Sequence, residues 1–467
     1  MKQLFTAYFN KSEASRMLNL AWPIVLSQLG IMLMGVVDVI QVGHIATDAK
    51  FALDAAGIAN GVWNSIAVFG INAIGIIAPQ ISKAREEGQP DEIRKLFRAG
   101  IRVALLATLF CSLIIVLLSF KFEWFGQKDK VQDMAVPYLL IFTSSTLPMF
   151  LFLAVRQLAD GMGLTRVAMY ITLGAVGLNI LLNYLLIYGN WFFPELGLNG
   201  AALSTLISRI FMAIGIWIYV RRQPELVPYL SKPLSVAGTT IADWTRKIIR
   251  LGTPAGCQGF FEIAVFALAA IMTGWLGEDQ LAAHLIAINP ASVTYMMTTG
   301  LASAGGIRVG AGIGQGNREA VLQSGRTALL LAVVFMTFTC LCFLLGNEFL
   351  VSLYIRDEEV ASIAVILVMM AGVFQLFDGV QAVSLGLLRG MADVNLPTGI
   401  TLVAYWIVGL PVGYLFAFVL GMDALGIWIG LTTGLAVAAV LLSWRFFHQV
   451  PKIDFSIRRA APPVGLH

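Results

Sequence analysis

Long apolar runs alternate with short polar connections along the whole chain, and twelve of these runs are long enough to cross a membrane as helices. They cover residues 17–42, 52–82, 100–120, 134–159, 166–188, 199–220, 250–275, 280–307, 321–346, 360–388, 397–420 and 425–448. The pattern therefore predicts an all-α polytopic membrane protein. The first run is itself long enough to span and is not a short apolar core ending in a small-residue cleavage site, so it is expected to remain as helix 1.

The second half of the chain repeats the first. An offset of 226 to 231 residues brings Leu20 and Pro23 onto Leu251 and Pro254, Gly43 onto Gly274, and Ala55 and Ala56 onto Ala282 and Ala283. It also pairs Gly88 with Gly316, Arg98 with Arg326, Gly161 and Met162 with Gly390 and Met391, and Gly200 with Gly426. Each half holds six runs, so both halves enter from the same side and the repeat is parallel, giving two pseudo-symmetric six-helix bundles. The expected division is an N-lobe over 1–221, a linker over 222–249 carrying Pro224, Pro228 and Pro233, a C-lobe over 250–448, and a tail over 449–467. In such folds the substrate cavity lies between the lobes, and rocking exposes it to each side in turn. Pro23 and Pro254 fall near the starts of helices 1 and 7, where either a bend or a plain helix start accounts for them.

Three carboxylates, Asp38, Glu262 and Asp378, sit inside these runs, where an unpaired charge costs about 3 kcal/mol or more and usually marks an ion or substrate path. Twelve residues separate Glu262 from Arg250 and eleven separate Asp378 from Arg389. At about 1.5 Å per residue both acids fall roughly 17 Å inside a core about 30 Å thick, near its middle. Gln258 precedes Glu262 by one turn, while Gln375, Asp378 and Gln381 recur every three residues, so each acid shares a helix face with amides able to hydrogen-bond a ligand. A carboxylate in this setting either takes up a proton or stays charged beside a bound cation; a single protonated carboxyl bonded to a neighbouring helix is the purely structural alternative. Asn179 and Asn183 lie four apart on helix 5, Thr205 is on helix 6 and Asp38 on helix 1. One carboxylate with amide and hydroxyl oxygens suits a small hard cation or a proton; interhelical hydrogen bonding is the alternative for the asparagine pair. None of these groups obeys the repeat, since Asp38 maps to Ala269, Glu262 to Ile31, Asp378 to Met149, Asn179 to Gly409 and Asn183 to Gly413. That asymmetry favours distinct chemistry in each lobe.

Arg209 falls at mid-depth, and it either pairs with a cavity carboxylate, or snorkels or faces an aqueous cleft. His284 opens helix 8, read either as a titrating group or as a satisfied histidine. Arg156, Asp160 and Arg166 are expected to form surface pairs at one mouth of the bundle. The glycine-rich stretch from Gly305 to Gly316 suits close helix packing and a turn.

Charge sets the orientation. Of 31 Lys and Arg, Lys50, Lys121, Lys128, Lys130 and Arg356 fall on one side, Arg209 lies within a run, and the rest fall on the other side. By the positive-inside rule both termini are cytoplasmic. With 58% hydrophobic and 12% charged residues, the net charge of +4 is a topology signal, and no basic face or nucleic-acid motif accompanies it. Cys111, Cys257, Cys340 and Cys342 all fall in runs, without metal-ligand spacing, and are expected to pack. No phosphate-binding glycine loop with its Lys, no Cys or His cluster and no glycine-flanked nucleophilic Ser is present, so neither ATP-driven pumping nor hydrolysis is indicated and the chain is not read as an enzyme.

Several segments together resemble the multidrug and toxic compound extrusion (MATE) family, in its NorM-like branch. They are Gly35-Val36-Val37-Asp38 with Val42-Gly43-His44, Ile307-Arg308-Val309-Gly310 with Gly314, and Gln375-Leu376-Phe377-Asp378 leading into Leu388-Arg389-Gly390, Asp393 and Pro397. The resemblance covers nearly the whole chain. It implies a twelve-helix antiporter, without cofactor, that exports organic cations such as dyes and fluoroquinolones in exchange for Na+ or H+. By position it implies an N-lobe cation site at Asp38, Asn179, Asn183 and Thr205, with Na+ or a proton as occupant, and C-lobe acids at Glu262 and Asp378. Position 183 is Asn where some relatives have Asp, which removes one charge, and Arg209 stands outside the family pattern. The expected substrate cavity then carries Gln258, Gln375, Gln381 and Arg209. Expected partners are cationic or amphipathic small molecules and the lipid bilayer, with no nucleic acid, for a monomer in the cell's inner membrane. The rival readings are a flippase for lipid-linked oligosaccharides, whose anionic substrate calls for several cavity arginines or lysines, and an uncoupled channel.

Overall fold

The computed structural model describes residues 11–45, 48–126, 128–231 and 239–455. Pro233 and the end of the expected tail, from 456 onwards, lie outside them. Among these described residues twelve long helical segments follow one another: α1 (Lys11–Val42), α2 (Ala49–Gly75 and Ile77–Glu86), α3 (Pro90–Ser119), α4 (Asp129–Ser144 and Thr146–Gly161), α5 (Arg166–Leu186), α6 (Leu198–Arg222), α7 (Ile241–Gly274), α8 (Glu278–Gly314), α9 (Arg318–Leu345), α10 (Glu358–Gly390), α11 (Asn395–Leu402, Val403–Gly409, Leu410–Tyr414 and Leu415–Val419) and α12 (Asp423–Gln449). Among the described residues eleven of these are long and apolar enough to cross a membrane. The remaining one, α8, has 37 residues but interrupts its apolar positions with His284, Asn289, Pro290 and a run of Thr, Ser and Gly.

Helices extend past the apolar runs wherever a polar start signal precedes them. α3 begins at Pro90, ten residues before the apolar run, with a proline at its start and Asp91 and Glu92 in its first turn, where the helix dipole favours negative charge. α7 begins at Ile241 because Thr240 and Asp243 cap it reciprocally: the Asp243 amide donates to the Thr240 hydroxyl at 3.1 Å and the Thr240 amide to Asp243 at 2.9 Å. Hydropathy marks only the part of a helix that meets lipid, so these starts escape it. For the same reason Pro23 and Pro254 lie well inside α1 and α7 and not at their starts.

The chain divides into two compact units, one comprising residues 1–25, 86–88 and 257–467 and the other residues 26–85 and 89–256. Each has the same internal plan. In one, α10 packs against α8, α9 and α12; in the other, α4 packs against α2, α3 and α6. The glycines retained in both halves explain this. A Cβ on Gly161 of α4 would come within 2.8 Å of the Ala78 carbonyl on α2, and one on Gly390 of α10 within 2.6 Å of the Gly306 carbonyl on α8. A Cβ on Gly200 of α6 would stand 2.5 Å from the Leu186 carbonyl, and Gly426 is pressed in the same way against Phe416 and Ala417. These four repeated glycines are thus points where two backbones nearly touch, as in small-residue packing of membrane helices, whereas Gly88 and Gly316 both take a positive φ, 66° and 64°, in turns. Of the cysteines, Cys111 and Cys340 are buried and Cys342 is exposed.

Candidate functional site

The acidic residues read from the sequence fall in two clusters, one inside each unit. In the first, the buried Asp38 on α1 accepts hydrogen bonds from Asn183 Nδ2 at 2.7 Å to Oδ1 and from the Thr205 hydroxyl at 2.7 Å to Oδ2. Asn179 stands beside the same carboxylate, and its amide donates to the Thr205 hydroxyl at 3.4 Å. One turn of α5 sets Asn179 and Asn183 on a common face. Thr205 comes from α6 because Gly200 lets that helix close on the end of α5. The Oδ1 atoms of Asn179 and Asn183 are both buried and find no partner. The group therefore presents one carboxylate, two free amide oxygens and a hydroxyl, a set suited to a small hard cation. Among the described residues no three His, Cys, Asp or Glu gather to hold a metal ion, so the neutral oxygens carry most of the coordination capacity here.

Arg209 lies one turn beyond Thr205 on α6 and is 7% exposed. Its guanidinium sits between two rings, 4.3 Å from the centroid of Trp63 and 4.7 Å from that of Phe142, and donates to the Ser145 hydroxyl at 2.6 Å. The rings pack edge to face, Trp63 donates to the Thr146 hydroxyl, and Tyr138 stacks on Phe142. The expectations were a carboxylate partner, snorkelling or an aqueous cleft; the arginine occupies an aromatic cage and lies within Coulombic reach of Asp38. Nothing in the spacing of these residues announces this cage, since Trp63 comes from α2 while Phe142 and Ser145 lie at the break in α4.

In the second cluster Glu262 on α7 is half-buried beside Tyr295 of α8, and it lies within Coulombic reach of Asp378 on α10. Arg389 Nη2 donates to Gln258 Oε1 at 3.3 Å and feels the Glu262 charge, so this arginine at the end of α10 reaches back into the cluster. Gln375 and Gln381 are fully buried, and both amide atoms of each lack a partner. The Tyr405 hydroxyl on α11 is likewise unpartnered and belongs to the same cluster, within reach of both acids. Tyr405 sits in a π-helical stretch over Val403–Gly409, an irregularity frequent at functional sites. Tyr295, Arg389 and Tyr405 were missed in the sequence; the two tyrosines carry no charge to stand out in an apolar run.

Two peripheral expectations need correction. Arg156 and Asp160 do pair, at 3.0 Å, but both are buried because α4 is enclosed by its neighbours. His284 is buried against Trp428 with its Nδ1 unpartnered, so it is not a satisfied histidine.

The family model MatE matches residues 23–185 and 254–415, one copy in each half of the repeat. The chain belongs to the MatE family. Among its relatives, the probable multidrug resistance protein NorM of Rhizobium meliloti is 33% identical over 94% of both chains. That of Pseudomonas putida is 34% identical over 95% of this chain and 96% of its own. The fold agrees with those of solved members of the family. A eukaryotic MATE transporter, AtDTX14, superposes with a TM-score of 0.84 at 19% identity over 94% of this chain and 98% of its own. The Vibrio cholerae MATE transporter VcmN in its bent form gives 0.80 at 18% identity over 94% and 97%. The expected family, the two-lobe helical fold and the multi-pass membrane character therefore hold.

Proposed function

We propose that this protein is a multidrug efflux transporter that exports cationic or amphipathic small molecules in exchange for Na+ or H+. The observation that carries the reading is the Asp38 group: a buried carboxylate with two unpartnered amide oxygens and a hydroxyl around it. A small cation completes such a set, whereas a purely structural role leaves the amide oxygens orphaned at a cost of about 1–3 kcal/mol each. The names of the NorM relatives support drug export as the outcome. Glu262 and Asp378, with Gln375 and Gln381, supply a second acidic, hydrogen-bonding surface for a cationic substrate or a proton. A cation entering from outside neutralises these acids and displaces the drug outward, so coupling is competition combined with a shift between inward-open and outward-open states. The protein works as a monomer in the inner membrane with both termini cytoplasmic, its N-lobe over 1–221 joined by 222–249 to a C-lobe over 250–448.

Efflux of a cationic dye from proteoliposomes, under Na+ and H+ gradients imposed separately, tests this. One of the two gradients should drive export against the dye gradient. Dye movement that only equilibrates under both gradients would leave a channel and overturn antiport.

A further inference from the structure

A recess of about 360 Å³ opens at the end of the bundle where α3 begins and α6 finishes, closed on one side by the short helix Val227–Ser231. Its lining holds three arginines, Arg98 and Arg102 on α3 and Arg221 on α6, and no carboxylate. None of the three pairs with an acid among the described residues: Asp91 is engaged by Arg94 and Glu92 by Lys95, and Glu225, between Arg221 and Tyr229, is exposed. Tyr229 on the lining lies within Coulombic reach of two more arginines, Arg85 and Arg94. The apolar part of the lining includes Ile101 and Trp217, with Arg221 stacked over the Trp217 ring at 4.9 Å. Beyond the recess the outer faces of both helices are bare hydrocarbon, Leu105 and Leu109 on α3 and Ile214 and Ile218 on α6.

We infer that this recess binds the phosphate headgroup of an anionic membrane phospholipid, with its acyl chains laid along the exposed faces of α3 and α6. Three guanidiniums without carboxylate partners present a fork of donors matched to phosphate oxygens. Trp217 and Tyr229 have the amphipathic character of residues at the headgroup level. The exposed apolar faces supply what a free phosphate does not need. A zwitterionic lipid brings its own ammonium into a recess that already holds three cations, so the site discriminates by net charge. The repeat isolates the feature further. The positions matching Arg98, Arg102 and Arg221 in the second half are Arg326, Leu330 and Phe447, and Arg326 has an acid partner in Glu319. Helix packing alone, common to both halves, does not call for the arginine triad.

The test uses the full chain in mixed micelles with lipids brominated on the acyl chain, reading the tryptophan quenching that is lost in Trp217→Phe. Phosphatidylglycerol should half-saturate this signal at a concentration at least about fivefold below phosphatidylcholine, and each arginine removed should raise it about fivefold. Arg102→Gln, at an exposed position, is the variant least able to disturb folding; Arg98→Gln/Arg221→Gln should show roughly the square of its effect. Equal half-saturation by the two lipids, or an unchanged value in Arg102→Gln and in the folded double variant, would overturn the inference. Displacement of phosphatidylglycerol by millimolar inorganic phosphate would also overturn it, since the occupant would then be a soluble anion.

Discussion

Replacing Arg209 by Met tests whether the caged guanidinium sets the cation affinity of the Asp38 group. The cage itself predicts little change in stability. Two desolvated cation–π contacts, at 4.3 and 4.7 Å, contribute about 1–2 kcal/mol each. The charge-assisted bond to Ser145 adds about 1.5–3 kcal/mol, and burying the charge costs several kcal/mol in return. Methionine fills a similar volume between the rings, so the sum stays small. The electrostatic effect does not cancel. The guanidinium lies within Coulombic reach of Asp38, which accepts from Thr205, one helical turn before it on α6. At a separation of roughly 8 Å and an effective dielectric of about 20, two unit charges interact by about 2 kcal/mol. Arginine opposes a cation arriving at Asp38 by that amount, so Arg209→Met should lower the half-saturating concentration of the driving cation roughly thirtyfold, while Arg209→Lys should leave it near wild type. Dye efflux from proteoliposomes, measured against graded Na+ and against graded pH, reads both variants. Coincident curves for wild type and Arg209→Met would refute the coupling and leave the arginine a packing element.

Asp38→Asn should abolish the dependence of efflux on the driving cation, and Asn183→Ala should weaken it less, because only the first removes the charge; a cation dependence of wild-type strength in Asp38→Asn would exclude this group from coupling. Glu262→Gln and Asp378→Asn should each eliminate gradient-driven export while the protein still elutes as a folded species, and wild-type rates in both would contradict their role. Gly161→Ala and Gly390→Ala force a methyl against a backbone carbonyl and should each destabilise their own bundle by about 1–3 kcal/mol. Thermal unfolding followed by size-exclusion chromatography checks this, an unchanged midpoint in both being the contrary result.

The repeat explains why some of this architecture is legible in the sequence and some is not. Positions kept in both halves, such as Gly161 with Gly390 and Gly200 with Gly426, are the same backbone approaches made twice. A duplicated scaffold has to keep these approaches, so even a weak internal match is enough to locate the helix pairs. The acids inside the apolar runs break the repeat and stand out against apolar neighbours, which is why Asp38, Glu262 and Asp378 are legible, and why the Asn179, Asn183 and Thr205 pattern can be tied to the first of them. Uncharged partners give no such contrast. Tyr295 and Tyr405 enter the Glu262 cluster from α8 and α11, and an aromatic residue in an apolar run looks like any other core residue until the fold brings it to an acid. Charges near the ends of apolar runs mislead in the opposite direction, because depth is counted from Cα positions. Arg389 has a long side chain that reaches inward to Gln258, and Glu13, outside the first apolar run, is buried against Arg308 and Ser324 at 2.6 to 2.9 Å. An ionic residue beside a membrane helix is therefore placed by what lies within reach of its side-chain tip, and hydropathy along the chain does not contain that information.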